Sequence, residues 1–279
     1  MRKIIFTKYH ALLNDFLIVE SKTKLTKVLL SKLAQSICDR RSGVGADGIL
    51  YLTDSKKADK KFTIVNSDGS FAEKSGNGLR IAGMHLYLRD KRKKKFLFDT
   101  GYGLDLVTVQ KKIKNGVLLK AELGSPNFLT KEVPVKSKQK YMINAPLKIN
   151  GLNFPVTCLS VGNPHTVLFV DSFDFDWETL GAAIEFHKAF PERTNVEFVK
   201  PVSRKKLLVA DWERGAGATG SSGTGAAAAV AAAVTMGIAD RNCEVQFSNG
   251  SLYIFWNIKT DIIELTGEVQ KVVFGEYEL

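Results

Sequence analysis

Two serines stand at the mouths of two glycine-rich turns, Ser75-Gly76-Asn77-Gly78 and Ser222-Gly223-Thr224-Gly225, about half a chain apart. Each turn opens an apolar run that reads as a helix. The first run is Leu79-Arg80-Ile81-Ala82-Gly83-Met84-His85-Leu86, and the second is Ala226 to Val234. A glycine-rich turn leading into a helix presents unpaired backbone N–H groups and the positive end of the helix dipole. That is an anion site needing no charged side chain. One Ser-Gly-x-Gly before a helix is ordinarily only a cap, because serine is a good N-cap and glycine permits tight turns. Two copies at half-chain spacing point instead to internal duplication, with two half-domains sharing one small anion and each offering one hydroxyl.

The elements that must hold these turns are mostly strands. Lys61 to Val65, Leu104 to Val109, Gly116 to Leu123, Leu207 to Trp212, Leu252 to Trp256 and Ile262 to Leu265 alternate or are rich in β-branched and aromatic residues. Turn signals separate them, among them Asn66-Ser67-Asp68-Gly69, Lys114-Asn115-Gly116, Asn150-Gly151 and Ser248-Asn249-Gly250. Helical stretches are expected over Lys24 to Cys38, after Gly78, over Asp176 to His187 and after Gly225. The order is no regular βαβ alternation, which argues against a doubly wound parallel sheet and for an α+β fold of two similar halves. The run Ala226 to Ala233 has almost no polar face, so it is expected to be enclosed on all sides. A boundary is expected near Gly124-Ser125-Pro126-Asn127.

The chain has 279 residues, long enough for one large domain or two smaller ones. Its 44% apolar and 25% charged content is ordinary for a soluble globular protein. No apolar run is long enough for a membrane span, and Met1 to Phe6 lacks the apolar core of a signal peptide. Three cysteines, Cys38, Cys158 and Cys243, form no CxxC pair and fit a reducing cytoplasm. The four histidines show no H-x-x-x-H spacing, so no metal site is expected. The net charge of +11 comes largely from short clusters such as Lys91 to Lys95 and Arg204-Lys205-Lys206, beside turns. Without interleaved aromatics or a nucleic-acid module, these read as solvated loops, and no nucleic-acid partner is expected. A basic surface can still steer an anionic substrate.

A series of motifs then runs along the whole chain. It includes Phe6 to Phe16, Cys38-Asp39-Arg40-Arg41, Gly43-Val44-Gly45-Ala46-Asp47-Gly48 and Asn66-Ser67-Asp68-Gly69-Ser70. It continues through Gly76-Asn77-Gly78-Leu79-Arg80, Val161-Gly162-Asn163-Pro164-His165, Pro191 to Phe198 and Glu213-Arg214-Gly215-Ala216-Gly217. With these motifs the chain resembles the diaminopimelate epimerase family, among the pyridoxal-independent amino-acid racemases and epimerases. The resemblance implies two pseudo-symmetric lobes, each a β-barrel-like mixed sheet around a central helix, enclosing substrate in a cleft. The lobes are expected over residues 1–122 and 123–267, with the tail 268–279 returning to the first. The resemblance also implies that Gly76, Asn77, Gly223 and Thr224 hold the α-carboxylate of the reacting centre. Asn14, Asn66, Asn163, Asn195, Glu213 and Arg214 would hold the far amino-acid end. Arg214 can pair a carboxylate bidentately and Glu213 can take an ammonium. Stereoinversion at the α-carbon of L,L-diaminopimelate or a related amino acid, without a cofactor, is the expected activity, and a cytoplasmic homodimer the expected form.

The chain departs from the family pattern at the chemistry. The pattern places a cysteine before each glycine-rich turn, and here those places hold Ser75 and Ser222. The glutamate expected after Gly217 is Ala218. A thiol near pKa 8.5 is lowered further at a helix N-terminus, whereas a hydroxyl is a poor base unless a neighbour takes its proton. His165, His10 and Glu213 are the candidate helpers. Three alternatives stay open on the residues alone: an isomerase with another substrate or a single base, a non-catalytic amino-acid-binding relative, and an engineered pair of Cys→Ser changes.

Overall fold

The computed structural model describes residues 3–21 and 25–278. The chain divides into two compact units, one running to Glu122 and resuming at Thr266, the other spanning Leu123–Leu265. The first contains β1 (Lys3–Ala11), β2 (Asn14–Glu20), α1 (Lys27–Ile37), β3 (Gly48–Thr53), β4 (Lys60–Asn66) and β5 (Phe71–Ala72). It goes on through α2 (Gly76–Arg89), β6 (Lys95–Asp99), β7 (Leu104–Ile113) and β8 (Gly116–Glu122). The second contains β9 (Ala145–Ile149), β10 (Leu152–Ser160), β11 (Pro164–Phe169), α3 (Trp177–Glu185), β12 (Asn195–Ser203) and β13 (Lys206–Glu213). It is completed by β14 (Gly217–Ala218), α4 (Gly223–Thr235), β15 (Asn242–Phe247) and β16 (Gly250–Trp256), after which β17 (Ile263–Glu278) carries the chain into the first unit.

In the first unit β1, β2, β3, β4, β6, β7, β8 and β17 pair in that order, and β17 closes on β1 through the register Lys3↔Glu278 to His10↔Gln270. The result is an eight-stranded barrel. Its interior is filled by α2, which packs on β1, β2, β6, β7 and β8. Gly83 is the closest approach: a Cβ there would meet Val107 Cγ1 at 2.5 Å. In the second unit β9, β10, β11, β12, β13, β15 and β16 pair in succession around α4. Ala226 to Ala233 are all at 0% exposure, so the alanine run is enclosed as its composition requires.

The two units repeat one topology. From β1 to β7 the pairings run antiparallel, parallel, antiparallel, parallel, antiparallel. From β10 to β16 they run in the same sequence. Each unit places one amphipathic helix outside its sheet, α1 or α3, over an apolar cluster. The fold is α+β, two barrel-like halves each built on a central helix.

Boundaries differ from the sequence reading in a few places. The helix expected from Lys24 is seen from Lys27 with Thr26 as its N-cap, and Lys24 lies outside the described residues. Helices α2 and α4 begin inside the glycine turns, at Gly76 and Gly223, because the capping serines fix the first turn and the glycines join it. The last strand runs to Glu278, well past the expected Leu265, since pairing with β1 rather than local pattern decides its length.

Candidate functional site

Ser75 and Ser222 are built alike. Each is an extended N-cap, with φ −144° and ψ 114° at Ser75 and φ −130° and ψ 124° at Ser222. The Ser75 hydroxyl accepts the Gly78 N–H at 3.0 Å, and the Ser222 hydroxyl accepts the Gly225 N–H at 3.1 Å. The cap leaves the N–H groups of Gly76 and Asn77, and of Gly223 and Thr224, without partners inside their helices. Each helix mouth is thus an anion cradle with a hydroxyl at its rim.

An asparagine steadies each cradle from the strand beside it. In the first lobe Asn77 Nδ2 donates to Asn14 Oδ1 at 3.2 Å, with Asn14 opening β2. In the second, Asn163 Nδ2 donates to Thr224 Oγ1 at 3.3 Å, with Asn163 just ahead of β11. Asn14 is itself fixed, its Nδ2 donating to Asp47 Oδ2 at 2.9 Å. Asp47 shares Arg40 with Asp15, which also meets Lys8 at 2.7 Å. Burial would raise the Asp15 carboxyl, but the hydrogen bonds from Arg40 and Lys8 outweigh it and hold it below the usual range.

The remaining expected residues divide between exposed reach and internal use. Asn66 is half-buried and donates to Ser70 Oγ at 2.9 Å within its turn. Asn195 is 5% exposed, and its amide is spent on backbone: Nδ2 donates to Pro164 O at 2.8 Å and Oδ1 accepts from Arg214 N at 3.0 Å. Its geometry is that of a brace for Arg214. Arg214 is half-buried and its Nη1 donates to Glu192 O at 3.2 Å. Glu213 reaches Ser222, whose hydroxyl donates to Oε2 at 3.5 Å, while Oε1 accepts from Thr219 at 2.6 Å.

The two histidines sit elsewhere. His165 is fully buried, with Nδ1 2.6 Å from Glu197 Oε1 and Nε2 3.0 Å from Asn163 Oδ1. Among the described residues no hydrogen bond joins it to Ser222; it orients Asn163. His10 on β1 accepts the Leu13 N–H at 3.4 Å. The three cysteines are buried and unpaired, and burial pushes Cys38 and Cys158 up to about 12 and Cys243 to about 11, which disfavours the thiolate at each.

Several polar residues packed around the turns escape a reading of the turns alone. Arg80, at 0% exposure, folds back to donate to Gly76 O at 3.0 Å and Asn77 Oδ1 at 2.6 Å, orienting the Asn77 amide; burial lowers its pKa to about 9. Its place four residues after Gly76, on an otherwise apolar helix, was the available signal. Glu197, Asp211 and Thr219 are the others. Glu197 lies where β12 is buried on both faces, and Asp211 falls on the buried face of β13 in line with Leu207 and Val209, so both carboxyls are taken out of water.

The family model for diaminopimelate epimerase matches residues 6–129 and 157–272. A diaminopimelate epimerase from Carboxydothermus hydrogenoformans is 40% identical over 98% of this chain and 99% of its own. One from Acetivibrio thermocellus is 37% identical over 98% of each. Among solved structures, a hydroxyproline epimerase from Agrobacterium vitis superposes with TM-score 0.70 at 14% identity, covering 99% of this chain and 91% of that one. A PhzF-family phenazine biosynthesis protein from Bacillus anthracis gives TM-score 0.69 at 16% identity over 100% of both. The sequence matches span nearly the full length, and the solved structures share the fold; the chain belongs to the diaminopimelate epimerase family.

Proposed function

We propose that the protein is a cofactor-independent amino-acid epimerase that inverts the α-carbon of L,L-diaminopimelate or a related amino acid. The observation that carries this reading is the repeated cradle: a capped helix mouth in each lobe, braced by Asn14 on Asn77 and by Asn163 on Thr224. Backbone N–H groups of Gly76, Asn77, Gly223 and Thr224 hold the α-carboxylate. Their dipoles favour the charge that spreads into it when the α-proton leaves. Ser75 and Ser222 take the two proton-handling positions. The Ser222 hydroxyl gives its proton to Glu213, so Glu213 serves proton transfer here in place of binding an ammonium. Among the described residues Ser75 has no such carboxylate acceptor. Arg214, its backbone N–H held by Asn195, takes the far carboxylate as a fork.

The test is hydrogen exchange at Cα in deuterated water with L,L-diaminopimelate, followed by separation of the stereoisomers. Deuterium at Cα with formation of the meso isomer supports the reading. Binding without exchange overturns it in favour of a non-catalytic amino-acid-binding protein. One observation favours that second reading: both hydroxyls already serve their helices as N-caps.

The reading extends to a homodimer in the reducing cytoplasm. Supporting it, Ile5 on β1 and Phe274 on β17 are 57% and 59% exposed and lie diagonally on one face, since Phe274 pairs with Thr7. Phe274→Lys should convert a dimer to a monomer in sedimentation velocity, and a monomeric unaltered protein refutes the assembly. No helix among the described residues is long and apolar enough to cross a membrane.

A further inference from the structure

The second lobe carries a buried acid where the first lobe carries an aliphatic side chain. Asp211 on β13 is 2% exposed and stands directly across from Glu197 on β12, itself 1% exposed. In the first lobe the corresponding strands β3 and β4 oppose Leu50 with Ile64. The correspondence is fixed by register. Asn195 and Gly48 begin β12 and β3, facing His165 and Phe16 on the parallel neighbour, and Glu197 and Leu50 each lie two residues on. The same barrel geometry is therefore filled once by two aliphatic side chains and once by two carboxyls, which is far costlier unless the carboxyls are used.

Asp211 and Glu213 are two apart on β13 and so share a face. β14 folds back on β13 through Trp212↔Ala218 and Glu213↔Gly217, bringing Thr219 onto that face. The Thr219 hydroxyl touches both carboxyls, Asp211 Oδ2 and Glu213 Oε1. It has one proton and can donate to only one of them. The other contact joins two oxygens and needs a proton of its own. The second oxygen of Asp211, Oδ1, is buried, and among the described residues it makes no well-formed hydrogen bond. Burial, with the Glu197 charge beside it, pushes the Asp211 carboxyl up to about 6.

We propose that Asp211 and Glu213 hold one proton between them across the Thr219 hydroxyl, and that this shared proton lets Glu213 act alternately as base and acid toward Ser222. In the first arrangement Asp211 Oδ2–H donates to Thr219 Oγ1, Thr219 donates to Glu213 Oε1, and the ionised Glu213 accepts from the Ser222 hydroxyl. In the second, the Asp211 proton has moved to Thr219 Oγ1 while the Thr219 proton has moved to Glu213 Oε1. Net charge is unchanged, no bond between heavy atoms forms or breaks, and Glu213 is now neutral; rotation of its carboxyl group, which exchanges Oε1 and Oε2, presents the proton to Ser222. A stereoinverting site needs both states, because the two substrate isomers ask opposite roles of the same side chain. Asp211 touches no reacting atom and is a positioning residue.

The groups facing this trio are Glu197 from β12, with His165 of β11 behind it, and the backbone N–H of Gly220. The first turn of α4 brings no acidic side chain. The catalytic consequence rests on the epimerase reading, but the shared proton is read without turnover. In the intact, carbon-13-labelled protein, the carboxyl carbons of Asp211 and Glu213 are followed by NMR against pH. A shared proton makes both carbons move together in one step above the ordinary carboxylate range of about 4. Thr219→Val should split that step into two, Thr219→Ser should restore it, and Asp211→Asn should return Glu213 to the ordinary range. Where Cα exchange is measurable, its acid limb should shift by about one pH unit in Asp211→Asn. Independent titration of the two carbons in the unaltered protein overturns the proposal, as does a Thr219→Val curve identical to it. Loss of epimerase activity alone bears only on the epimerase reading.

Discussion

Glu197 occupies in the second lobe the place that Leu50 occupies in the first, each beneath the third residue of its lobe's central helix. A Cβ on Gly225 would meet Glu197 Oε1 at 2.9 Å, and one on Gly78 would meet Leu50 Cδ2 at 3.0 Å. The helices and caps are duplicated, but their floors are not. One cradle rests on hydrocarbon, and the other on a carboxylate that holds His165 and, through it, Asn163. Two mouths of similar shape therefore carry different electrostatics. In the proposed reaction that difference sets Ser222, with Glu213 beside it, apart from Ser75.

Gly225→Ala tests how tightly that floor is set. The added methyl would press on Glu197 Oε1 and on Ser222 Cβ, both at 2.9 Å. Overpacking of this kind costs about 1–3 kcal/mol. Urea unfolding should show a loss in that range, together with weaker carboxylate binding as Ser222 and Glu197 are displaced. An alanine variant as stable as the parent would mean the helix mouth is loose.

Serine chemistry is the next expectation. Turnover on diaminopimelate should be slow, and the double change Ser75→Cys with Ser222→Cys should raise it. Either single change should help much less, because inversion needs an acceptor on one face and a donor on the other. A positioned proton-transfer group is worth on the order of 10²–10⁴ in rate. Cα exchange in deuterated water measures it. An unaltered protein already turning over at about 1–10³ per second would overturn this expectation and put the chemistry on another base, His165 or Glu213.

Arg214 is assigned to the far carboxylate. Arg214→Ala should weaken a dicarboxylate ligand by about tenfold or more while changing a monocarboxylate little, because a charge-assisted pair is worth about 1.5–3 kcal/mol. Calorimetry with the two ligand types decides, and equal losses would move Arg214 out of that role.

Stability should carry the mark of Asp211. Its folded pKa of about 6 lies above the ordinary carboxyl value, so the fold favours its neutral form. The stability this gives is fully present below pH of about 4 and is lost as pH rises through about 6. At about 1.4 kcal/mol per pKa unit the ionised group costs roughly 2–3 kcal/mol at neutral pH. Asp211→Asn removes that slope. Urea unfolding of the two proteins should diverge in the variant's favour between about pH 4 and 7.5. A constant difference across that window would show that Asp211 is not held neutral.

Much of this protein is written in local sequence. The serine caps, the glycine turns and the enclosed alanine helix follow from side-chain size, capping chemistry and apolar pattern, which act over a few residues. The repeated Ser-Gly-x-Gly signature announced the duplicated topology, and the motif series announced the family. Only the tertiary structure decided what surrounds the serines. Strand register sets Asp211 against Glu197, and the return of β14 sets Thr219 between Asp211 and Glu213. It also set His165 between Glu197 and Asn163 rather than against Ser222. A strand residue's partner is chosen by pairing across long stretches of chain, and a carboxyl's charge by the burial that pairing creates, so neither can be read from the residues beside it.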